Sequence, residues 1–185
     1  MTEELLKETE TRMEKAVESA QHDFATIRTG RANPGLLEKV NVDYYGTAMT
    51  IPQLAAVSVP EPRLLVVAPW DKGAISAIER AIMNSDLGLT PTNDGNVIRM
   101  QIPYLTEERR REMIKTLHKK AEDHRIAVRN IRRDANEKLK NTEKNHVIGE
   151  DECKRAQEHV QKLTDSYIKH IDKLQEAKEA ELMEV

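Results

Sequence analysis

One stretch of the chain, residues 105–140, constrains the fold more than any other because it carries two distinct helical faces. Its apolar residues recur at steps of three, four and seven, the spacing of a single stripe on a long amphipathic helix. The stripe contains Ile114, Leu117, Ala121, Val128, Ile131, Ala135 and Leu139, with His124 in the same series. A helix of this kind becomes stable when its stripe is buried against other elements.

The basic residues of this stretch lie about a quarter-turn from the apolar stripe, at roughly 100° per residue. This face contains Arg111, Lys115, His118, Arg125, Arg129, Arg132, Arg133, Asn136 and Lys140. Residues 106–140 hold 12 Lys and Arg against 7 Asp and Glu, whereas the whole chain has a net charge of −3. A positive field concentrated on one helix attracts polyanions. The alternative, a charged face that only contacts solvent, is a common explanation of a charge run and stays open here.

Four arginines on this face indicate phosphate as a ligand. Arg125, Arg129, Arg132 and Arg133 project from about one side of the helix, and a guanidinium group binds phosphate oxygens in pairs better than an ammonium group does. Asn136, one turn further, could contact a base edge or a ribose 2′-hydroxyl. Aromatic residues make up only 3% of the chain, which favours structured RNA over single strands stacked on aromatic rings. Pairing with acidic residues of the same helix is the alternative, at about 0.3–0.5 kcal/mol per pair.

Length and composition bound the class of protein. At 185 residues the chain has room for one large domain or two small ones. One Phe and one Trp are few for a compact globule and suit a protein built from long helices. The single cysteine, Cys153, rules out an internal disulfide and favours a reducing, cytoplasmic location. No run of about 18 apolar residues occurs, so we expect no membrane-spanning segment.

The same periodicity predicts two more long helices. The first spans residues 2–28, with Gly30 as the left-handed residue that ends it and Pro34 preventing continuation. The helix of residues 106–140 is expected to begin at Thr106 as its N-cap and to fray near 141–149. The last helix spans about 150–182, and its stripe contains Cys153, Ala156, Val160, Leu163, Tyr167, Ile171, Leu174 and Ala177. Three helices with one apolar stripe each bury those stripes by bundling.

Residues 36–104 have a different pattern, made of short runs bounded by Pro and Gly. These runs predict strands at 40–44, 55–59, 64–68 and 96–102, and helical spacing predicts a helix at 74–86. All seven prolines lie outside the long helices. We therefore predict an α+β fold. It consists of an elongated three-helix bundle, formed by residues 1–29 with 106–185, and a small inserted β/α/β domain at 30–105.

The chain enters and leaves the inserted domain through two short linkers, residues 29–35 and 102–105. Paired short linkers that contain Gly and Pro favour a hinge over a floppy tether. The candidate hinge residues are Arg28, Gly30, Arg31, Pro34 and Pro103. The sequence thus predicts a compact head that can change its angle to a helical rod.

Patterns that would indicate catalysis or metal binding are not found. The six histidines are dispersed, no Cys/His cluster has zinc spacing, and the glycines form neither a P-loop nor a dinucleotide-binding fingerprint. Cys153 lies on an apolar stripe, where a core position is the simpler explanation, and the same holds for His124. We therefore expect no catalytic residue, no metal and no cofactor.

Seven blocks of the sequence, in order along essentially the whole chain, resemble the bacterial ribosome recycling factor family. They are Ile27–Pro34, Tyr44–Thr47, Ser85–Leu89, Leu105–Arg110, Val128–Asn136, Val160–Asp165 and Lys178–Met183. The resemblance implies an L-shaped, hinged molecule with a tRNA-like outline. It also implies binding to the large ribosomal subunit after termination. There, with elongation factor G and GTP, the factor releases ribosomes from mRNA by splitting the subunits.

The resemblance also assigns site residues. The arginines of the family that face 23S rRNA carry over to Arg129, Arg132 and Arg133, and Arg110 matches another motif position. Arg125 joins this set because it shares their helix face. We expect a cytoplasmic monomer that acts mechanically and is not an enzyme. Two other classes stay open on the residues alone: a helical adaptor that grips another protein, and an RNA-acting enzyme that turns over without a GTPase.

Overall fold

The computed structural model describes residues 1–184 of the chain. In order these form α1 (Thr2–Ala25), β1 (Asn41–Tyr44), β2 (Thr47–Thr50), α2 (Ile51–Leu54), β3 (Ala55–Glu61), β4 (Leu64–Pro69), α3 (Ile75–Met83), β5 (Pro91–Asn93), β6 (Ile98–Gln101), α4 (Glu107–Lys144) and α5 (Glu150–Met183). Short 3-10 turns at Pro34–Leu37 and Lys72–Ala74 precede β1 and α3. Long helices together with a small antiparallel sheet confirm the predicted α+β class.

The chain folds into two compact units. The bundle unit consists of Met1–Ile27 and the chain from Arg110 onward, and the sheet unit is Arg28–Arg109. The chain therefore leaves the bundle unit after α1 and returns to it within the first turn of α4. The predicted junctions, at residues 29–30 and 105–106, lie within a few residues of these.

Side-chain pairs fix the direction of each helix in the bundle unit. Pairs between α1 and α4 join rising residue numbers in one helix to falling numbers in the other, so these helices are antiparallel. They are Glu8–Lys138, Arg12–Asp134 and Asp23–Lys120. α5 is antiparallel to α4 for the same reason, through Arg125–Asp172 and His118–Glu179. α1 and α5 are therefore parallel.

The predicted apolar stripes form the core of the bundle unit. α4 buries Leu117, Ala121, Val128, Ile131, Ala135 and Leu139, α1 buries Met13, Val17, Ala20 and Phe24, and α5 buries Cys153, Ala156, Val160, Ile171 and Leu182. Burying one such aliphatic or aromatic side chain is worth about 1.5–3 kcal/mol. Mutual burial of the three stripes therefore stabilises helices that would be marginal alone.

One position of the α5 stripe is predicted wrongly. Ala177 is exposed and Lys178 is buried, because the stripe advances in steps of four from Leu174 through Lys178 to Leu182. The Nζ atom of Lys178 lies 3.4 Å from Glu181 Oε2. The lysine thus keeps a charged partner while its methylene groups cover apolar surface.

The sheet unit contains a four-stranded antiparallel sheet in the order β3-β4-β6-β5 and a separate β1–β2 hairpin. Alternate residues of β6 are buried, Ile98 and Met100, while Arg99 and Gln101 are exposed. This is the period of a strand with one face on a core. The helix α3 packs on that core with Ile78 and Ile82. The strands predicted from alternation are confirmed, whereas β2, α2 and β5 are not predicted by the sequence pattern.

The helix α1 ends at Ala25, earlier than predicted, and Gly30 is not its left-handed cap. Thr26 closes the helix, and its Oγ1 donates to Asp23 O at 2.7 Å. The N–H of Ile27 then bonds the carbonyl three residues back, which tightens the last turn. Gly30 does have a left-handed backbone, with φ of 78°, but it lies in the linker that follows the helix.

Among the residues described, no helix is both long and apolar enough to cross a bilayer.

Candidate nucleic-acid interface

The helix α4 is the scaffold of the candidate interface. It is continuous over 38 residues, which corresponds to about 57 Å at 1.5 Å per residue. The predicted N-cap is confirmed, since Arg109 N donates to Thr106 Oγ1 at 3.1 Å. The helix was expected to fray near residues 141–149, and it ends within that range, at Lys144. A rigid helix of this length holds its cationic side chains at fixed spacings.

Arg125 is engaged inside the bundle unit. Its Nε donates to Asp172 Oδ1 at 2.7 Å, its Nη1 to Glu122 Oε2 at 3.2 Å, and its Nη2 to Gln175 Oε1. The side chain is only 18% exposed. Three acceptors therefore hold the guanidinium group between α4 and α5, and little of it is left for an external anion.

Arg129 shares the carboxylate that Arg125 contacts. Its Nη1 donates to Glu122 Oε1 at 2.9 Å, and its side chain is 41% exposed. Hydrogen bonds from Arg129 and then Arg125 outweigh burial and hold the pKa of Glu122 below its usual value. Glu122 therefore stays ionised and orients Arg129 along the helix surface, with part of the guanidinium group still open to solvent.

The next turns of α4 form an open groove of about 410 Å³. Its walls are Arg132, Arg133, Asn136, Glu137, Lys140, Asn141 and Lys144. Four of these side chains are cationic and one is a carboxylate. Arg132 has a single long contact, 3.4 Å from Nη1 to Gln161 Oε1. Within residues 1–184, Arg133, Lys140 and Lys144 have no hydrogen-bond or ion-pair partner. The groove is therefore an open cationic surface on the helix.

Asn136 lies in the wall of this groove with one side of its amide closed off. Its Oδ1 atom is shielded from solvent and has no hydrogen-bond donor within the described part of the chain. The amide nitrogen is therefore the polar atom that this side chain has left to offer. A donor at this point, between four cations, favours an acceptor-rich ligand such as a phosphate group.

The residues that line the groove near the C-terminal end of α4 are only partly evident from the sequence. Lys140 lies on the predicted basic face, but Asn141 and Lys144 fall in the segment that was expected to fray. The signal that could have found them is the spacing of Asn136, Lys140 and Lys144 at steps of four. That spacing continues one helical face by two more turns.

Arg110 does not belong to the groove. It lies 22 residues before Arg132 on the same helix, which is about 33 Å along the axis. Its side chain is half-buried, and its Nε is shielded with no hydrogen-bond partner in residues 1–184. Of the five predicted RNA-binding arginines, the structure therefore groups Arg129, Arg132 and Arg133, holds Arg125 between two helices, and places Arg110 apart.

The candidate hinge residues all lie in the sheet unit. Arg28 Nη2 donates to Asp86 O at 3.0 Å. Gly30 has a left-handed backbone, and Arg31 is exposed. Pro34 opens a 3-10 turn that Asn33 caps by accepting from Gly35 N at 2.9 Å. Pro103 is exposed in the second linker.

Two further titratable side chains, Cys153 and His124, are packed inside the bundle unit. Cys153 is buried, and that burial, with a hydrogen bond to Glu143, raises the pKa of its thiol. A thiol in this state is a poor nucleophile. His124 is held by Asp23, with 2.9 Å from Nε2 to Oδ2, and its ring meets Phe24 edge-on. Among the residues described, no three His, Cys, Asp or Glu side chains are grouped as metal ligands.

Comparisons with known proteins extend over the whole chain. The ribosome-recycling factor of Carboxydothermus hydrogenoformans is 60% identical over 185 residues, and that of Bacillus subtilis is 55% identical, with all of both chains covered in each case. A solution structure of the ribosome recycling factor covers 100% of this chain and 98% of its own, with 50% identity and a TM-score of 0.80.

A second solved structure places such a factor on the ribosome. It contains models for the T. thermophilus ribosome recycling factor and E. coli elongation factor G bound to the E. coli post-termination complex. This factor is 47% identical with a TM-score of 0.71, and both chains are fully covered. The family model for ribosome recycling factor matches residues 20–183. The chain, with its cationic groove on a long bundled helix, therefore belongs to the ribosome recycling factor family.

Proposed function

We propose that this protein binds the large ribosomal subunit after termination and, with elongation factor G and GTP, splits the subunits so that the ribosome is released from mRNA. Membership of the family supports this role. The T. thermophilus relative, bound together with elongation factor G to a post-termination complex, supports the same partners. Ribosomes work in the cytoplasm, so we place the protein there, as a monomer.

The surface that binds 23S rRNA is the open side of α4. Arg129, Arg132 and Arg133 contact phosphates, and Lys140 and Lys144 extend the contact along the groove. The observation that carries this assignment is the groove itself, which sets four cations against one carboxylate with three of the cations unpaired in residues 1–184. A surface with this charge and spacing suits the closely spaced phosphates of folded RNA.

Arg125 and Arg110 have different roles in this proposal. Arg125 stabilises the bundle by donating hydrogen bonds to Asp172 and Gln175 of α5. It affects RNA binding only indirectly, because it holds α4 in place. Arg110 makes a separate phosphate contact near the start of α4. RNA binding is thus concentrated on the three arginines of one helix face.

The action is mechanical and not chemical. Charge and shape bind the factor, elongation factor G supplies the free energy of GTP hydrolysis, and the sheet unit turns about the linkers at 29–35 and 102–105 while the bundle acts on rRNA. No step forms or breaks a covalent bond in this chain, so the protein is a translation factor and not an enzyme.

Co-sedimentation with purified large subunits over a salt series tests the binding surface. Arg132→Glu places a carboxylate in the groove, and we expect it to abolish binding while helical circular dichroism and thermal melting stay as in the wild type. The matched control is Arg80→Glu, a reversal at an exposed arginine of α3 in the sheet unit. Wild-type binding should weaken steeply with salt. Normal binding by Arg132→Glu, or a flat salt response, would contradict the assignment and favour a protein-binding adaptor.

A further inference from the structure

The turn between β3 and β4 contacts both linkers of the sheet unit. On the incoming side, Ala32 N donates to Pro62 O at 2.7 Å. On the outgoing side, Ile102 N donates to Arg63 O at 2.8 Å. Two adjacent turn residues therefore attach two segments that are far apart in the sequence.

Arg63 adds its side chain to this attachment. Its Nη2 donates to Ile102 O at 2.6 Å, and its guanidinium carbon lies 3.0 Å from the centre of the Tyr104 ring. Arg63 thus bonds both the N–H and the carbonyl of Ile102 and covers the ring two residues later. Together these contacts fix the backbone direction of residues 102–104.

The placement of both side chains argues against a role in the core alone. Tyr104 is 72% exposed, so its ring does not fill the interior of the sheet unit. Arg63 Nε is shielded and has no hydrogen-bond partner in residues 1–184, a cost that an arginine pointing into water would not carry. Both observations are explained if Arg63 and Tyr104 serve to hold the linker at residues 102–105.

The two linkers also contact each other. Gly30 has φ of 78°, and a Cβ atom built on it would lie 3.4 Å from Leu105 Cγ. Arg28 is tied to the same unit by its bond to Asp86 O. From Arg28 to Leu105, both linkers are therefore fastened to the sheet unit, by hydrogen bonds on one side and by packing on the other.

We propose that Arg63 is a positioning residue of the hinge, which holds the two linkers side by side at the turn between β3 and β4. Arg63 thereby fixes where the two linkers lie on the sheet unit. The consequence for subunit splitting rests on the proposed function, whereas the consequence for the linkers does not.

Amide hydrogen exchange on the full-length protein tests the attachment directly. In Arg63→Ala we expect exchange in residues 102–105, at the amides of Ile102, Tyr104 and Leu105, to rise about tenfold, because a charge-assisted hydrogen bond and the ring contact are both lost. Exchange in the centre of β4 and β6, at Leu65 and Met100, should stay unchanged. The matched control, Arg99→Ala, removes an exposed arginine of β6 that pairs with Asp94 and should leave the linker as it is.

Substitutions at Tyr104 separate the ring contact from general destabilisation. Tyr104→Phe keeps the ring under Arg63 and should retain wild-type exchange at residues 102–105. Tyr104→Ala removes the ring and should raise it. If Arg63→Ala leaves exchange at 102–105 unchanged, or if Phe and Ala at position 104 behave alike, the proposal is overturned.

A second experiment measures the rate at which the protein, with elongation factor G and GTP, splits ribosomes into subunits. Arg63→Ala should bind large subunits like the wild type but split ribosomes about tenfold more slowly, since misplacement of a positioned group costs up to about 100-fold. Raised linker exchange with a wild-type splitting rate would overturn the positioning role and leave the proposed function intact. If the wild type itself does not split ribosomes, the proposed function fails, and the exchange data still decide whether Arg63 fastens the linker.

Discussion

Arg125 of α4 and Asp172 of α5 are joined by a hydrogen bond of 2.7 Å from Nε to Oδ1, with Gln175 and Glu122 accepting from the other two nitrogens. Because the guanidinium group is largely buried, we expect Arg125→Ala to lower the free energy of unfolding by about 2 kcal/mol. Urea denaturation followed by circular dichroism measures this. Arg133→Ala, at an exposed position of the same helix, should change stability by no more than about 0.5 kcal/mol. Equal stabilities of the two variants would contradict the structural role of Arg125.

Lys140 and Lys144, which line the groove near the C-terminal end of α4, should contribute to RNA affinity through their charge alone. Lys140→Ala and Lys144→Ala should each weaken binding to large subunits and reduce the slope of log affinity against log salt by about 1. The control is Lys154→Ala, which removes an exposed lysine of α5 that pairs with Glu150. An unchanged slope in both groove variants would place the RNA elsewhere on α4.

Acid should weaken the link between α1 and α4. Burial alone would raise the pKa of Asp23, but hydrogen bonds from Lys120 and His124 outweigh it and hold the pKa below its ordinary value. A lowered pKa in the folded state stabilises the protein above the unfolded pKa of about 4, and the effect is lost as the pH falls through the folded pKa.

We therefore expect Asp23→Asn to cost about 1 kcal/mol at neutral pH, with the difference from wild type shrinking below about pH 4. Urea denaturation across the acid range provides the measurement. A difference that is constant with pH would show that packing at this position matters and the charge does not.

High pH should break a hydrogen bond in the sheet unit that joins β1 to the 3-10 turn before α3. Tyr44 Oη donates to Asp71 Oδ2 at 2.6 Å, and this bond raises the pKa of Tyr44 to about 12. The raised value means that the stabilisation is complete below about pH 10 and is lost as the pH rises through 12.

In Asp71→Asn the pKa of Tyr44 should return toward about 10. Tyrosinate absorbance during a pH titration follows this. Tyr167 is an internal control, because burial, followed by the charges of Glu14 and Glu10, raises its pKa to about 12 independently of Asp71. A titration curve that Asp71→Asn leaves unchanged would exclude the bond in solution.

Much of the bundle could be predicted from the sequence because a long helix repeats its signal. The stripe from Leu117 to Leu139 is buried as its spacing predicts. Short elements lack this redundancy. The four-residue strand β2 and the three-residue strand β5 have too few residues for alternation to show, and only their pairing with β1 and β6 defines them.

The candidate site was predictable as a face but not as a set of open charges. Helical spacing alone puts Arg125 beside Arg129 and Arg132, yet the acceptors that engage Arg125 lie partly on α5, 47 residues away for Asp172. A pairing over that distance depends on tertiary packing, which periodicity does not encode. The role of the turn at Arg63 could not be predicted for the same reason, since its partners Ile102 and Tyr104 meet it only in the folded sheet unit.

The bundle unit is discontinuous in the chain, and this has a consequence for its biosynthesis. α1 is made first, but the helices that bury its stripe begin only at Glu107 and Glu150. The sheet unit is complete well before either has been fully made, so it is the part that folds first on the translating ribosome. Leu182, fully buried, lies near the end of α5, which emerges from the exit tunnel after α1 and α4. The nascent chain therefore closes its bundle only after most of α5 has left the tunnel.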